Sequence, residues 1–170
     1  MFIRDERPDD VSRISRIQYD AFKNHPVHAP GAEPTEHRIV ERLRASGGLT
    51  LSLLAEAGTE AVGHIALSPA VVGVAHEGWF LLGPVGVLPR FQGQGIGSAL
   101  VRAALRRMRG VRADGVVLVG EPAFYARFGF ERAPGLFYPG VPEQYVLAAC
   151  FNDAVPRGAI IAHEAFAEGA

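Results

Sequence analysis

Residues 85–98 decide the fold of this chain, and they read VGVLPRFQGQGIGS. An apolar strand leads into a turn with glycine at the alternate positions 93, 95 and 97, and a helical pattern follows directly. Glycine permits positive φ and leaves no Cβ between the backbone and a ligand. Several backbone N–H groups can then point together at the positive end of a helix dipole. The stretch therefore predicts a cradle for the pyrophosphate of a nucleotide-like ligand.

The composition is typical of a soluble globular protein. The chain has 170 residues, of which 48% are hydrophobic and 21% charged, which suits a single domain over residues 1–170. The net charge of −1 provides no global field that would attract nucleic acid or anionic lipid. Cys150 is the single cysteine, which excludes an intrachain disulfide and a cysteine-based metal cluster.

No run of the sequence approaches the roughly 20 apolar residues that span a bilayer. The N-terminus also lacks the apolar run of a secretion signal. We therefore expect a cytoplasmic protein with no nucleic-acid partner and no membrane partner, acting as a monomer or homodimer.

The apolar spacing predicts strands and helices in the order β-α-α-β-β-β-α-β-α-β-β. Strand 79–87, helix 96–109 and strand 116–119 form one βαβ crossover. Gly83-Pro84 lies inside the first of these strands, and proline cannot donate to a ladder, so we expect a splay there. The fold class is α/β (α+β), with a single mixed sheet of about six to seven strands, splayed between strands 79–87 and 116–119 and flanked by about four helices.

Three interpretations of the glycine-rich turn compete. A Walker A loop requires Gly-Lys-Ser/Thr, and this turn ends in Gly97-Ser98 without lysine. A dinucleotide fingerprint would use Gly93, Gly95 and Ser98, with Glu121 as the ribose-binding acid. Two observations argue against a dinucleotide fingerprint. Residues 89–92 make the loop between the strand and the first glycine long, and the chain has a single βαβ unit. A simple corner does not explain alternating glycines before a helix, and the third interpretation depends on a second motif.

A second motif, Tyr125-x-x-x-Gly129-Phe130, follows the next strand. Together with Gln92-x-x-Gly95-x-Gly97 and the strand over residues 82–89, it resembles the GNAT superfamily of acyl-CoA-dependent N-acetyltransferases. The matching blocks cover residues 80–130, and their order and spacing agree with the family. Residues 120–125 are similar to a bacterial subgroup of uncharacterised N-acetyltransferases, except that Glu121 replaces Asp and Phe124 replaces Tyr.

The resemblance implies a GNAT-like fold and an acyltransferase that moves an acetyl group from acetyl-CoA to a primary amine of a small molecule or peptide. The amine would attack the thioester directly, and Tyr125 would be the general acid that protonates the leaving thiolate. The pantetheine arm would lie between the splayed strands, and the phosphates would lie on backbone amides, so no metal is required. The residues implied in cofactor binding are Val85, Gly86, Val87, Gln92, Gly93, Gln94, Gly95, Ile96, Gly97 and Ser98.

Several alternatives stay open at this point. The domain could be a non-catalytic acyl-CoA-binding sensor or partner module, although the presence of Tyr125 favours an enzyme. Tyr125 could equally be a core aromatic residue of a short helix. The candidates for a general base are His64, Glu77 and Glu121, and a histidine on a strand is more often a packed, hydrogen-bonded residue.

One polar cluster has a loose zinc-like spacing, although no cysteine or regular histidine pattern supports a metal there. We interpret this segment as a lid at the entrance for the acceptor. Its members are His25, His28, Glu33, Glu36 and His37.

Overall fold

The computed structural model of the chain describes residues 1–167 and has four α-helices and eight strands in that part. The helices are α1 (Val11–Phe22), α2 (Glu36–Ser46), α3 (Ile96–Gly110) and α4 (Pro122–Tyr125). The predicted order of elements is confirmed, with one additional short strand, β6. The strands are β1 (Phe2–Asp5), β2 (Leu51–Ala57), β3 (Glu60–Val72), β4 (Trp79–Val87), β5 (Gly115–Val119), β6 (Leu136–Phe137), β7 (Val146–Cys150) and β8 (Gly158–Ala162).

The strands form one mixed sheet with the main order β1-β2-β3-β4-β5-β7. Strands β1 and β2, β2 and β3, and β5 and β7 are antiparallel, whereas β4 and β5 are parallel. The prediction of a mixed sheet with a βαβ crossover is therefore confirmed. The eighth strand is the two-residue strand β6, which pairs with β8, and β8 also pairs with β3.

Parallel pairing between β4 and β5 is short. Its register runs from Trp79↔Gly115 to Leu81↔Val117 and ends there, although β4 continues to Val87. Gly83 follows with a φ of +138°, a value that favours glycine. Pro84 then removes one backbone donor from the strand. The predicted interruption of the ladder before residue 87 is confirmed.

The chain folds as two compact units. The first unit contains Met1–Leu67 and Pro84–Ala104, and the second contains Ser68–Gly83 and Leu105–Ala170. Residues 168–170 of the predicted 1–170 domain lie outside the described residues. The single-domain organisation therefore stays a prediction.

In the first unit, α1 and α2 cover one part of the sheet. The apolar positions of α1 recur at helical spacing, which places Ile14 and Ile17 on its buried face. Ile14 packs in a cluster with Val40 of α2, Leu54 of β2 and Ala66 of β3. Helix α2 ends at Gly47, whose φ of +77° gives the left-handed cap that glycine adopts most readily.

The second unit has its own apolar cluster. Its members come from β3, β4, β5, β6, β7 and β8, and they are almost wholly buried. Three consecutive residues of β5, Val116 to Leu118, are at most 1% exposed, as expected of a strand covered on both faces. The buried members of the cluster are Ala70, Val72, Trp79, Leu81, Val117, Leu136, Val146, Ala148 and Ile160.

A buried ion pair joins β1 to the start of α1. The Arg4 guanidinium donates to both carboxylate oxygens of Asp10, at 2.7 and 3.0 Å, and to Glu56 at 2.6 Å. Asp10 also accepts the backbone N–H of Arg7 at 2.7 Å, which satisfies a free donor at the helix start. The hydrogen bond from Arg4 holds the pKa of the Asp10 carboxyl well below its usual range.

Replacement of Asp10 tests this pair. Asp10→Asn leaves the buried Arg4 charge partly unpaired, so we expect a loss of about 3 kcal/mol at pH 7 and a fall in Tm of about 6–12 °C. Because the folded-state pKa of Asp10 is depressed, its stabilisation is fully present above about pH 5 and is lost progressively as pH falls through the unfolded value of about 3.9 toward the folded-state pKa.

Thermal unfolding from pH 7 down to pH 3 measures the effect. The difference between wild type and Asp10→Asn is expected to shrink as pH falls. Asp9→Asn is the matched control, because the Asp9 side chain is 78% exposed. A difference in Tm that is the same at pH 3 and pH 7 would contradict the assignment.

Candidate active site

The glycine-rich turn forms an exposed connection between β4 and α3. A short 3₁₀ helix over Pro89–Phe91 follows β4, residues 92–95 are exposed, and α3 begins at Ile96. Gly93 and Gly95 have φ values of +75° and +83°, and a Cβ built on either would meet no atom within 4 Å. Glycine is therefore required here for backbone conformation, and the space beside both residues is open.

The start of α3 presents backbone donors beside this turn. Ile96, Gly97 and Ser98 occupy the first helical positions, where N–H groups have no acceptor within the helix. Ala99 is the next residue, and its N–H donates to the Gly95 carbonyl at 3.0 Å. The positive end of the α3 dipole coincides with these donors, an arrangement that binds anions.

Two glutamine side chains stabilise the turn by hydrogen bonds to nearby backbone carbonyls. The side-chain amide of Gln92 donates to the Val87 carbonyl at 2.9 Å, and that of Gln94 donates to the Arg90 carbonyl at 3.4 Å. The backbone N–H of Gln92 donates to the Pro89 carbonyl at 3.2 Å. Gln92 therefore stabilises the shape of the turn. The backbone N–H groups that face solvent begin at residue 93.

Two glycines, one in the strand segment before the turn and one in the neighbouring strand β3, lie close to helices. A Cβ at Gly86 would lie 2.7 Å from the Gln18 side-chain oxygen and 3.0 Å from the Ala21 Cβ, both on α1. A Cβ at Gly63 of β3 would lie 2.9 Å from Ile96 of α3. Gly86 and Gly63 therefore allow close approach of α1 and α3, respectively. Val85 and Val87 alternate with Gly86 along β4 and are half-buried.

The short helix α4 of the second unit begins with Pro122 at its first position and ends with Tyr125. Its ring makes edge-on contacts with Phe124, Phe128 and Phe130 at centroid distances of 4.9–6.3 Å. The ring also covers Gly120, where a Cβ would come within 2.5 Å of it. The aromatic neighbours hold the ring in one place.

The hydroxyl of Tyr125 has no hydrogen-bond partner among residues 1–167. Burial raises the pKa of the Tyr125 phenol above its ordinary value. A phenol with a raised pKa keeps its proton at neutral and mildly alkaline pH, which is the form that donates. The arrangement suits a neutral hydrogen-bond donor or general acid.

The three candidate bases lie in different environments. His64 is 0% exposed, and its ring lies 2.8 Å from the Gln18 amide nitrogen and 2.8 Å from the Ser52 hydroxyl. Burial lowers the pKa of His64 to about 3, so the ring is neutral. A histidine with no exposed surface cannot contact a substrate ammonium, and the structure supports the packed, hydrogen-bonded alternative. Glu77 and Glu121 are exposed.

Two members of the polar cluster, His28 and Glu36, pair with each other, and Glu33 pairs with residues of α1 and of the position just after it. The His28 ring lies 2.7 Å from the Glu36 carboxylate, and Glu33 accepts from Lys23 at 2.8 Å and from the Tyr19 hydroxyl. No group of three or more histidine, cysteine or carboxylate side chains in the described part of the chain is arranged to hold a metal. These pairs attach the segment to α1 and α2.

Within residues 1–167, none of the helices combines the length and the apolar composition needed to cross a bilayer.

Comparison with known proteins shows the family of this chain. The model of the acetyltransferase (GNAT) family matches residues 12–130. An uncharacterised N-acetyltransferase of Escherichia coli K12, YhbS, is 30% identical over 173 aligned positions that cover 98% of both chains. This chain therefore belongs to the GNAT acetyltransferase family, and the prediction of an acyltransferase is confirmed.

Two solved structures are similar over almost the whole chain. A GNAT family acetyltransferase from Brucella melitensis in complex with acetyl-CoA is 40% identical, with a TM-score of 0.84 and coverage of 98% of this chain and 97% of that one. Escherichia coli YhbS in complex with CoA is 30% identical, with a TM-score of 0.85 and coverage of 97% and 91%. Both support the GNAT fold class that the sequence predicts.

The environment of Tyr125 generates a prediction. Because burial raises the pKa of its phenol, the hydroxyl is expected to stay protonated at pH 10, near the ordinary tyrosine value of about 10. Ultraviolet absorbance titrations of wild type and Tyr125→Phe, subtracted from each other, isolate this phenol. A difference curve with its midpoint at or below pH 10 would show that the ring is not desolvated.

Proposed function

We propose that this protein transfers the acetyl group of acetyl-CoA to a primary amine of a small molecule or peptide. The observation that supports this most strongly is the open turn over residues 92–95, which leads into the unpaired N–H groups at the start of α3. Membership of the GNAT family gives the reaction class, and the related structures were solved with acetyl-CoA and CoA. The single-domain organisation and a cytoplasmic location stay predictions.

The diphosphate of acetyl-CoA binds to the backbone of residues 93–98. The donors are N–H groups at the positive end of α3, so binding requires neither a metal nor a lysine. Gln92 and Gln94 maintain the turn through their bonds to Val87 and Arg90. The pantetheine arm then runs along β4, where backbone groups of Val85 and Val87 pair with its amides.

Tyr125 acts on the departing sulfur. The acceptor amine attacks in its neutral form, a C–N bond forms, the C–S bond breaks, and the electron pair stays on sulfur. The Tyr125 hydroxyl donates its proton to that thiolate, which yields the free thiol of CoA, and the resulting tyrosinate regains a proton through solvent as the new amide nitrogen releases its extra proton. The raised pKa of the phenol keeps the hydroxyl protonated until the thiolate forms, and within residues 1–167 no other hydrogen bond competes for that proton.

Gly95→Val tests the diphosphate site. The φ of +83° at Gly95 disfavours a branched residue, and a valine would add bulk in the open space beside the N–H groups. We expect the affinity for acetyl-CoA to fall by at least about tenfold in isothermal titration calorimetry.

Gly58→Val is the matched control. Gly58 has a φ of +63° with no atom within 4 Å of a built Cβ, so the backbone strain is similar, and it lies in the turn between β2 and β3. Equal affinities of Gly95→Val and Gly58→Val would reject the assigned cradle. Titration with NAD tests the dinucleotide alternative, which is favoured if NAD binds and acetyl-CoA does not.

Tyr125→Phe tests the proton donor. The ring and its aromatic contacts are kept and only the hydroxyl is lost, so kcat is expected to fall by roughly 10²–10⁴ while acetyl-CoA affinity stays near normal. Acyl transfer, or slow hydrolysis of acetyl-CoA, is followed by thiol release.

Tyr138→Phe removes the hydroxyl of another half-buried tyrosine and serves as the control. It is expected to leave kcat within about twofold of wild type, since Tyr138 has no assigned role. If Tyr125→Phe retains the rate of Tyr138→Phe, then another group protonates the sulfur.

A further inference from the structure

Gln18 is a polar residue on the buried face of α1, between Ile17 and Ala21. Its side chain is 0% exposed. Its amide nitrogen lies 2.8 Å from the Nδ1 atom of His64, 3.4 Å from the His64 carbonyl and 3.3 Å from the Pro84 carbonyl. One side chain therefore connects α1 to both β3 and β4.

The neighbours of this amide set its orientation. Because His64 is neutral, one ring nitrogen accepts and the other donates. A chain of bonds then runs from Gln18 to His64 Nδ1, from His64 Nε2 to the Ser52 hydroxyl at 2.8 Å, and from Ser52 to Glu6 at 2.8 Å. Arg44 closes the chain by pairing with Glu6 at 2.7 Å. The amide nitrogen of Gln18 must face His64 Nδ1 and the carbonyls of His64 and Pro84, because the amide oxygen would be repelled by the two carbonyls.

The amide oxygen of Gln18 faces Gly86, two residues beyond Pro84 along β4. The Gln18 oxygen is buried without a hydrogen-bond partner and lies 2.7 Å from where a Cβ at Gly86 would be. Buried polar atoms without partners are rare in folded proteins, so each calls for a reason. The reason here is the orientation of the amide, because its nitrogen faces His64 and the Pro84 carbonyl and its oxygen is therefore left against Gly86.

We propose that Gln18 is a positioning residue of the acyl-CoA site. Its amide donates to the Pro84 carbonyl, and the amide oxygen fills the space beside Gly86. These two contacts set the backbone path of β4 from Pro84 to Val87. This inference rests on the proposed function, because it assigns the pantetheine arm of acetyl-CoA to that segment of β4.

Gln18→Met removes the amide but keeps an unbranched side chain of similar length. Isothermal titration uses two probes: acetyl-CoA, and a fragment of it that keeps the adenosine 3′-phosphate and 5′-diphosphate but lacks pantetheine. We expect acetyl-CoA to bind at least about tenfold more weakly, as for the loss of one hydrogen bond, and the fragment to change by less than about twofold.

Ile14→Ala is the matched control for stability. Ile14 is buried on the same helix, but it packs against Val40, Leu54 and Ala66 rather than β4. Its truncation is expected to lower Tm while the ratio of the two affinities stays at the wild-type value. A purely structural role of Gln18 would give the same result as Ile14→Ala.

A second variant keeps the inference testable if Gln18→Met does not fold. The added methyl of Gly86→Ala would meet the Gln18 oxygen and Ala21, so it should displace β4 and weaken acetyl-CoA selectively. In Gln18→Ala the amide is absent, and the further effect of Gly86→Ala should be smaller than in wild type.

The outcomes separate the two proposals. If wild type does not bind acetyl-CoA, the proposed function is wrong, and the role of Gln18, which depends on it, is wrong as well. If wild type binds, but the Gln18 and Gly86 variants weaken both probes equally or match Ile14→Ala, only the role of Gln18 is overturned. Additive effects of the Gln18 and Gly86 changes would overturn it as well.

Discussion

One missing backbone donor constrains much of this structure. Pro84 lies in the middle of β4 and cannot contribute an N–H to a ladder. Parallel pairing with β5 has already ended at Leu81, and Gly83 follows in a conformation that glycine favours. Because β4 stops pairing with β5 at that point, its backbone groups on that edge beyond the break are available to other partners. The proposed function assigns the pantetheine arm of acetyl-CoA to these groups.

The two chemical features of the protein rely on different kinds of preorganisation. The turn after β4 exposes backbone N–H groups at the positive end of α3, and its glycines and glutamines maintain its shape without a charged side chain. Tyr125 depends instead on its surroundings, because three phenylalanine rings and Gly120 fix the ring while burial keeps the phenol protonated. One feature is set by local backbone conformation, the other by packing.

The sequence predicted the features that depend on local chemistry. Alternating glycines after an apolar strand predicted the turn and the start of α3, and Gly83-Pro84 predicted the break in β4. The order of helices and strands followed from apolar spacing, except for the two-residue strand β6, which is too short to give a pattern. Gln18 was not predicted, although its position on the apolar face of α1 was a visible signal.

By itself, the sequence determined the fold class, the family and the position of the glycine-rich turn, because backbone preferences and short motifs act over a few residues. Only the tertiary structure decided the state of His64. The sequence left it as a candidate base, and its burial with Gln18 and Ser52 made it a neutral link in a hydrogen-bond chain. The tertiary structure likewise explains why position 86 is glycine, because α1 approaches the backbone closely there. Burial and hydrogen-bond partners depend on residues far apart in the chain, so no local pattern encodes them.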